Sequence, residues 1–235
     1  MIGFGRALAM MGLGGMMVAS FAARADDGPT PARIERDVLA EINDARAHPR
    51  DYAERLRDYR RHFDGRLLLL PGDPNGVVTN EGTDAVDEAI DFLERQAPLP
   101  PLDLGKLLML AAQDHADDQG TAGGTGHVSR AGLSPGERVK RRGGDIYVGE
   151  GIYYGMGDAG AVVRSLIVDD GVRSRGHRAL LFGSDFRFAG VGCAQHRQLG
   201  GICVVDFSGT ADGSPVLPPR WAKAKGQVFL MPAPR

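Results

Sequence analysis

The spacing of apolar residues changes halfway along this chain of 235 residues, and that change limits the folds it can adopt. Before residue 120, apolar residues recur at helical intervals, as in Ile34, Val38 and Ile42. Later come the β-branched and aromatic runs "IYVGEGIYY", "FRFAGVGCA" and "ICVVDFSG", with a helical run, "AGAVVRSLIV", after the first. Helices followed by strands predict an α+β domain in which helices cover an antiparallel sheet.

Capping residues and prolines set the predicted helix boundaries. Thr30 and Pro31 are typical of a helix start, and the first helix is expected to end before Pro49. Thr83 is expected to cap a later helix that "PLPP" terminates, and residues 66–82 are expected to form short extended segments between turns. The helices predicted before residue 120 are 31–48, 50–63, 84–96 and about 104–118, the last with Leu104 on its apolar face.

The first 25 residues are predicted to be an export signal. Arg6 precedes an apolar run over residues 7–22, and Ala23-Arg24-Ala25 matches a small-x-small cleavage site, so the mature chain is expected to start at Asp26. The alternative, an uncleaved membrane anchor, is disfavoured because the run is shorter than the roughly 20 residues that span a bilayer. We therefore expect a secreted or periplasmic protein. The predicted division is a signal peptide over 1–25, a domain over 26–210 and a loosely packed tail over 211–235.

Charge and cysteine content narrow the function classes. Removing the signal takes away Arg6 and Arg24 and shifts the formal net charge from −2 to −4. This balance offers no basic surface for nucleic acid or an anionic membrane, so we expect neither a nucleic-acid partner nor a stable membrane span. In an oxidising compartment, Cys193 and Cys203, at the ends of a predicted hairpin loop, are expected to form a disulfide. The alternative, a catalytic thiol, needs a free and activated cysteine.

Two short motifs are rejected as sites. "GLSPG" at residues 132–136 fits the nucleophile-elbow pattern, but the residue after Ser134 is Pro135, which has no N–H for an oxyanion hole. Ser134 is therefore predicted to be a turn residue. "GMGDAG" at residues 155–160 fits a dinucleotide fingerprint, but too little chain follows it to build a parallel sheet. Its glycines are predicted to start a helix capped by Asp158.

Three other polar residues stand out because each lies at or next to glycine, where backbones approach closely: His127, Glu150 and His177. Glu150 lies among Ile, Tyr and Val, where a carboxylate points to solvent or needs a cationic, metal or hydrogen-bonding partner. Two imidazoles and a carboxylate suit zinc with one position open to water, although histidines that only join loops by hydrogen bonds are the alternative. His115 is predicted to be a hydrogen-bonded core histidine, and His196 an exposed loop residue.

At these residues the sequence resembles the CAP superfamily of cysteine-rich secretory, antigen 5 and pathogenesis-related proteins, in its bacterial SCP-like extracellular branch. The resemblance covers about residues 33–209 and keeps the family's order. The stretches that carry it are "EINDARAHPRDYAERL", "EGTDAVDEAIDFLERQAPLPPLDLGKLLMLAAQDHADDQG", "GHVSRAGLSPGERVKRRGG", "VGEGIYYG", "IVDDGVRSRGHRALLFGSDFRFAGVG" and "CVVDFSG".

The resemblance implies a three-layer α-β-α sandwich around a central antiparallel sheet, with two histidines and two acids in a cleft that often holds zinc. The residues at the matching positions are His127, Glu150, Asp169 and His177. The family commonly has tryptophan followed three residues later by glutamate. Here Leu166 replaces the tryptophan, so Asp169 is the expected acid and Asp170 the alternative. Gly151 also replaces the family's asparagine, and weak metal binding is expected because ligand distances tolerate little error.

The leading functional expectation is an exported CAP-domain protein that binds a divalent cation, such as zinc, weakly. It would act by binding an unidentified lipid, small molecule or protein rather than by catalysis. One alternative is a metal-dependent hydrolase of the peptidase kind, with Glu150 or Asp169 as base. Another is a structural or adhesive module that uses the surface of the fold.

Overall fold

The computed structural model describes residues 31–73 and 75–217. The predicted signal peptide, its cleavage site, Thr30 and most of the predicted tail lie outside these residues. The helices are α1 Pro31–Ala47, α2 Pro49–Arg60, α3 Thr83–Arg95, α4 Lys106–Ala122, α5 Pro135–Arg141, α6 Ala159–Val168 and α7 Gly176–Leu181. The strands are β1 Phe63–Asp64, β2 Leu67–Leu68, β3 Val77–Val78, β4 Asp103–Leu104, β5 Gly149–Tyr154, β6 Phe188–His196 and β7 Gly200–Ser208.

The strands form two sheets. A small antiparallel sheet has the order β1-β2-β3, and the central sheet has the order β4-β6-β7-β5. In the central sheet the longer strands pair antiparallel, whereas β4 pairs with β6 in parallel over two residues. The predicted α+β fold with a central antiparallel sheet is confirmed. Strand β5 lies at one end of the central sheet, so one of its edges pairs with no other strand of that sheet.

Side chains alternate across the central sheet and so pack against two different helical layers. From one face, Val205 and Phe207 pack in the main core with residues of α1, α2, α3 and α6. From the other face, Ile152 and Val204 pack with Ala112 and other small residues of α4. The sheet is therefore the middle layer of the sandwich.

Helix α4 lies unusually close to strand β6, and glycine makes this approach possible. A Cβ atom added at Gly190 would lie 2.0 Å from the backbone nitrogen of Met109, and one added at Gly192 would lie 2.2 Å from that of Gln113. Any side chain at either position would overlap the helix backbone. Alternating glycines in β6 thus fix the distance between the sheet and α4, which carries part of the site described below.

Several local predictions hold and others are wrong. Asp158 caps α6, accepting a hydrogen bond from the backbone N–H of Ala161. Leu104, predicted on the apolar face of the fourth helix, precedes α4 instead and is 56% exposed, since it pairs with β6 as part of β4. Thr83 is the first residue of α3, and Gly82 is its N-cap. Ser134, predicted to lie in a turn, is the N-cap of α5.

The predicted disulfide between Cys193 and Cys203 is confirmed, and it joins directly opposite residues of β6 and β7. Both cysteines are buried, and no free cysteine is found within residues 31–73 and 75–217. The first residues of the predicted tail are attached to the domain, because the carbonyl groups of Asp212 and Gly213 accept backbone hydrogen bonds from Asp145 and Tyr147. Over the described residues, no helix has both the length and the apolar character needed to cross a bilayer.

Candidate functional site

The predicted polar residues come together at the open edge of β5. His127 lies in the loop between α4 and α5, and His177 lies in the first turn of α7, so the two imidazoles come from opposite helical layers. Their ring centres are 6.4 Å apart and the ring planes are inclined at 47°. Glu150 and Asp169 each contact one of these rings. We refer to the space between the two imidazoles as the cleft.

On the α4 side of the cleft, Glu150 connects an imidazole to a guanidinium. The His127 ring nitrogen Nδ1 lies 2.9 Å from Glu150 Oε1, and Glu150 Oε2 accepts a hydrogen bond from Arg138. The side chains of Glu150 and Arg138 are 1% and 3% exposed, whereas that of His127 is 51% exposed. Hydrogen bonding to the Glu150 carboxylate raises the pKa of His127 above its usual 6.5, against the opposing effect of burial.

On the α7 side, Asp169 holds the second imidazole. Asp169 Oδ1 lies 2.7 Å from His177 Nδ1, and Asp169 Oδ2 accepts a hydrogen bond from the His177 backbone N–H at 2.9 Å. Asp170 points elsewhere, because its carboxylate accepts hydrogen bonds from the backbone N–H groups of Asn80 and Glu81. Of the two acids that the sequence left open, Asp169 is therefore the one in the cleft.

The loop that delivers His177 contains two non-glycine residues in the left-handed region, Asp169 with φ 57° and Arg175 with φ 51°. That conformation costs an ordinary residue about 1–2 kcal/mol. The Arg175 side chain offsets this cost by binding Glu81 and Glu88 through its guanidinium, which also donates to the Asp169 carbonyl at 2.9 Å. The strained loop is thus fixed by ion pairs to Glu88 of α3 and to Glu81, just before that helix.

Arg178 fixes the other end of the same segment. Its guanidinium donates to the carbonyl groups of Ile167 at 2.6 Å and Val168 at 3.0 Å, the last two residues of α6. It also donates to Glu88 at 3.1 Å. These hydrogen bonds satisfy carbonyl groups that a helix C-terminus leaves unpaired, and they hold α7 against α6.

Gly151 explains how His177 reaches the strand. A Cβ atom at Gly151 would lie 3.5 Å from Cδ2 of the His177 ring and 3.6 Å from a methyl group of Leu166. A larger side chain would displace one of them. The two departures from the family pattern, glycine for asparagine and leucine for tryptophan, are therefore neighbours beside His177.

Sequence reasoning missed two residues of this site, Arg138 and Asp206. Asp206 is fully buried opposite Glu150 on β7, and neither of its carboxylate oxygens has a hydrogen-bond partner among the described residues. Burial, aided by the negative charge of Glu150, raises the pKa of Asp206 well above its usual value. Asp206 is the carboxylate in the apolar stretch "CVVDFSG", and the same kind of apolar surroundings singled out Glu150 in the sequence. Arg138 had no such signal because it lies among other basic residues.

The remaining histidines differ in how well they were predicted. His115 is fully buried, and its Nε2 lies 2.9 Å from the carbonyl oxygen of Gly126, as expected of a hydrogen-bonded core histidine. His196, predicted to be exposed, is only 3% exposed. Its ring packs edge-on against Tyr154, and its Nε2 donates to the carbonyl oxygen of Gly124 at 2.8 Å. The prediction for His196 was wrong because the residue belongs to β6 rather than to a loop, and its ring is covered by Tyr154 of β5 and by the backbone at Gly124.

The cleft places imidazole nitrogens, rather than carboxylates, where an ion could bind. Each carboxylate contacts the Nδ1 atom of its histidine, and neither Nε2 atom of His127 or His177 has a hydrogen bond to the described part of the chain. No group of three or more histidine, cysteine, aspartate or glutamate side chains within residues 31–73 and 75–217 is arranged to hold a metal. The predicted four-residue metal site thus stays a prediction, and the geometry offers two nitrogen ligands.

Comparisons with known proteins agree with this architecture. The model of the CAP family, described as the cysteine-rich secretory protein family, matches residues 39–207. No curated protein matches the chain.

Two solved structures are similar over part of the chain, both with a TM-score of 0.39. An extracellular protein with an SCP domain from Bacillus anthracis strain Ames is 24% identical, and the match covers 46% of this chain and 34% of that protein. An outer surface protein from Borrelia burgdorferi is 19% identical, with 53% of this chain and 86% of that protein covered. The match therefore spans about a third of the length of the Bacillus protein.

Proposed function

Because this chain belongs to the CAP family, the cysteine-rich secretory proteins, we propose that it is an exported binding protein whose cleft holds a divalent cation weakly through His127 and His177. The observation that carries this proposal is the pairing of each imidazole with a buried carboxylate at Nδ1. A neutral histidine that donates from Nδ1 presents the Nε2 lone pair, which is the state that binds a metal ion.

The residues present fit a weakly held ion. The 6.4 Å between the ring centres is close to the largest separation at which two imidazoles can share one ion through bonds of about 2.0 Å, so a tetrahedral ion would draw the two rings closer together. Catalytic zinc sites usually have three protein ligands, and this cleft supplies two, so water or a bound ligand would complete the coordination. When bound, the ion would supply a positive charge to which an anionic or carbonyl group of a ligand could coordinate.

The carboxylates act on the imidazoles. Glu150, held by Arg138, fixes the tautomer and direction of the His127 ring, and Asp169 does the same for His177. Outer partners of this kind typically change metal affinity by about 10–100-fold. We expect Glu150 and Asp169 to contribute to binding through the histidines rather than as direct ligands.

The same contacts favour binding over hydrolysis. A hydrolase needs a carboxylate positioned to take a proton from water. Glu150 has one oxygen on His127 and the other on Arg138, and Asp169 has both oxygens on His177. A binding role needs no such base, so it accounts for all four contacts.

A zinc titration tests the proposal. Zinc should raise the melting temperature of the purified protein, with a gain in free energy of unfolding of about 2.7 kcal/mol at a free concentration of 100 Kd. The double variant His127→Ala with His177→Ala should lose the rise. His48→Ala, a change at an exposed histidine outside the cleft, should keep it. If zinc leaves the wild-type melting temperature unchanged, the cation proposal is wrong and the role of a structural or adhesive module gains weight.

Export is part of the proposal and is tested separately. It is supported by the predicted signal over residues 1–25 and by the confirmed disulfide, which forms and persists in oxidising compartments. Expression of the full chain with a C-terminal tag, followed by fractionation and mass spectrometry, should find a mature N-terminus at Asp26 outside the cytoplasm. An intact N-terminus in the cytoplasmic fraction would contradict export without affecting the cleft.

A further inference from the structure

The position of His127 depends on the backbone of its loop as well as on the contacts that Glu150 and Arg138 make with the residue itself. The residue is half exposed and follows the glycine-rich segment "GGTG", and glycine has more backbone freedom than any other residue. Gly126, directly before it, has φ +102°, in the region that favours glycine. The Glu150 contact orients the ring, but the ring can reach Glu150 only if the backbone of this loop is held in place.

Side chains from several elements hold that backbone: Arg138 donates to the carbonyl oxygen of His127 at 2.9 Å, His115 contacts the carbonyl oxygen of Gly126, and Tyr154 and Gln119 hold Gly126 together. The N–H of Gly126 donates to the Tyr154 hydroxyl at 2.8 Å, and this hydroxyl donates to Gln119 Oε1 at 2.6 Å. Gln119 Nε2 in turn donates to the Gly126 carbonyl oxygen, which closes a ring of three hydrogen bonds. Gln119 lies on α4 and is 3% exposed, so the ring is anchored in the helix that packs on the sheet.

We propose that Tyr154 and Gln119 are positioning residues of the cation site. By holding both polar groups of Gly126, they set the distance of the His127 imidazole from His177 and thereby the affinity for the ion. The inference rests on the proposed function, because it concerns ligand geometry for that ion. His177 is positioned independently, by Asp169 and the ion pairs of Arg175.

The hydroxyl of Tyr154 is suited to this role because the rest of its side chain does something else. Its aromatic ring packs with the small apolar cluster between the sheet and α4, and this packing would survive removal of the hydroxyl. Gly126 is exposed, so its N–H would find water instead. Tyr154→Phe is therefore expected to leave the fold intact and to release the loop.

The neighbouring Tyr153 is a matched control. It lies on the same strand with its side chain in the main core on the other face of the sheet, and its hydroxyl donates to the carbonyl oxygen of Met156 at 2.9 Å. Tyr153→Phe removes the same atom from the same residue type one position away. It touches neither Gly126 nor Gln119, so any effect specific to the loop should be missing from this variant.

The experiment measures zinc affinity by calorimetry in the wild type, Tyr154→Phe and Tyr153→Phe. We expect about tenfold weaker binding in Tyr154→Phe and a change of less than twofold in Tyr153→Phe. A second readout needs no metal: the nuclear Overhauser effect between the His127 and His177 rings should weaken in Tyr154→Phe alone. The His177 signals themselves should stay in place, which a general loss of structure would not allow.

The outcomes separate this inference from the proposed function. If the wild type binds zinc and Tyr154→Phe binds it equally well with an unchanged ring contact, the positioning role is overturned while the cation site stands. If the wild type binds no zinc, the proposed function fails, and an unchanged ring contact in Tyr154→Phe then overturns the positioning of His127 as well. Should Tyr154→Phe fold poorly, Gln119→Met breaks the same ring of hydrogen bonds from α4 and should give the same two results.

Discussion

Glu150 and Asp206 lie directly opposite each other on the antiparallel strands β5 and β7, and both side chains are buried. Among the described residues, one guanidinium, that of Arg138, contacts this pair through Glu150. If both carboxyl groups were ionised, their repulsion inside the protein would exceed what one guanidinium can offset. The pair is therefore stable only if one carboxyl keeps its proton. The raised pKa of Asp206 assigns that proton to Asp206.

Asp206→Asn is expected to stabilise the protein at neutral pH. The amide has nearly the shape of the carboxyl group, stays neutral at every pH and so adds no second buried negative charge beside Glu150. Since the folded-state pKa of Asp206 is raised, the wild type has its full stability below the unfolded pKa of 3.8 and loses stability as the pH rises through the folded pKa. The advantage of the variant, about 1 kcal/mol or more at pH 7, should therefore shrink toward pH 3.

Urea unfolding at several pH values measures this difference, and Asp185→Asn, at an exposed aspartate, is the control that should show no such trend. A variant whose disadvantage relative to the wild type grows as the pH rises would show that Asp206 is charged in the folded protein.

Removal of Arg138 should cost much of the protein's stability. Arg138→Met leaves Glu150 buried without its cation, and breaking a buried pair in this way typically costs about 3–5 kcal/mol. Adding Glu150→Gln removes the stranded charge, so the double variant should recover a large part of the loss. The free energies of unfolding of the two single variants and the double variant form the test, and strictly additive losses would mean that the two groups do not interact.

Helix-forming and strand-forming patterns were enough to predict most of the sandwich. The prediction of "AGAVVRSLIV" as a helix agrees with α6, and the runs around residues 186–209 agree with β6 and β7. The errors occur where tertiary contacts decide. Leu104 belongs to β4 because β6 offers it a backbone partner, and α5 and α7 are too short for periodicity to reveal them.

The site was predictable in part because two kinds of signal were present. Neighbouring glycines and the family resemblance singled out the two histidines, and a carboxylate in an apolar strand singled out Glu150, as it could have done for Asp206. The chemical roles were not predictable, since only coordinates show that Glu150 and Asp169 contact Nδ1 of the imidazoles. The contribution of Tyr154 was also hidden, because one hydroxyl in "GIYYG" has no sequence signal that distinguishes it from its neighbour.

The protonation of His127 should depend on Glu150. In the metal-free protein, the pKa of His127 is raised mainly by its hydrogen bond to the Glu150 carboxylate, while burial opposes the shift. Glu150→Gln removes the carboxylate charge and leaves burial, so the pKa of His127 should be lower in the variant than in the wild type. An NMR titration of the imidazole carbon-bound protons measures it, with the exposed His48 as an internal reference. A pKa of His127 that stays raised in the variant would contradict the Glu150 contact.

The close approach of α4 to β6 predicts a large effect from a single methyl group. Gly192→Ala would place a Cβ atom 2.2 Å from the backbone of Gln113, and helix backbone cannot move aside as a flexible side chain can. We expect a loss of at least about 1–3 kcal/mol, the usual cost of overpacking. Gly124→Ala is the matched change, because its Cβ atom would meet nothing within 4 Å. Equal melting temperatures for the two variants would show that α4 lies farther from the sheet.

The disulfide should contribute to stability through the unfolded chain. Cys193 and Cys203 are separated by 10 residues, and closing a loop of this length is worth about 2–3 kcal/mol in the chain-entropy account. Replacing both cysteines by alanine should therefore lower the free energy of unfolding by that amount, and treating the wild type with a reductant should lower it similarly. The bond joins opposite residues of strands that pair along their whole length, so the sheet and the cleft should persist without it. If both the double variant and the reduced wild type kept the free energy of unfolding of the oxidised wild type, the bond would contribute nothing to stability.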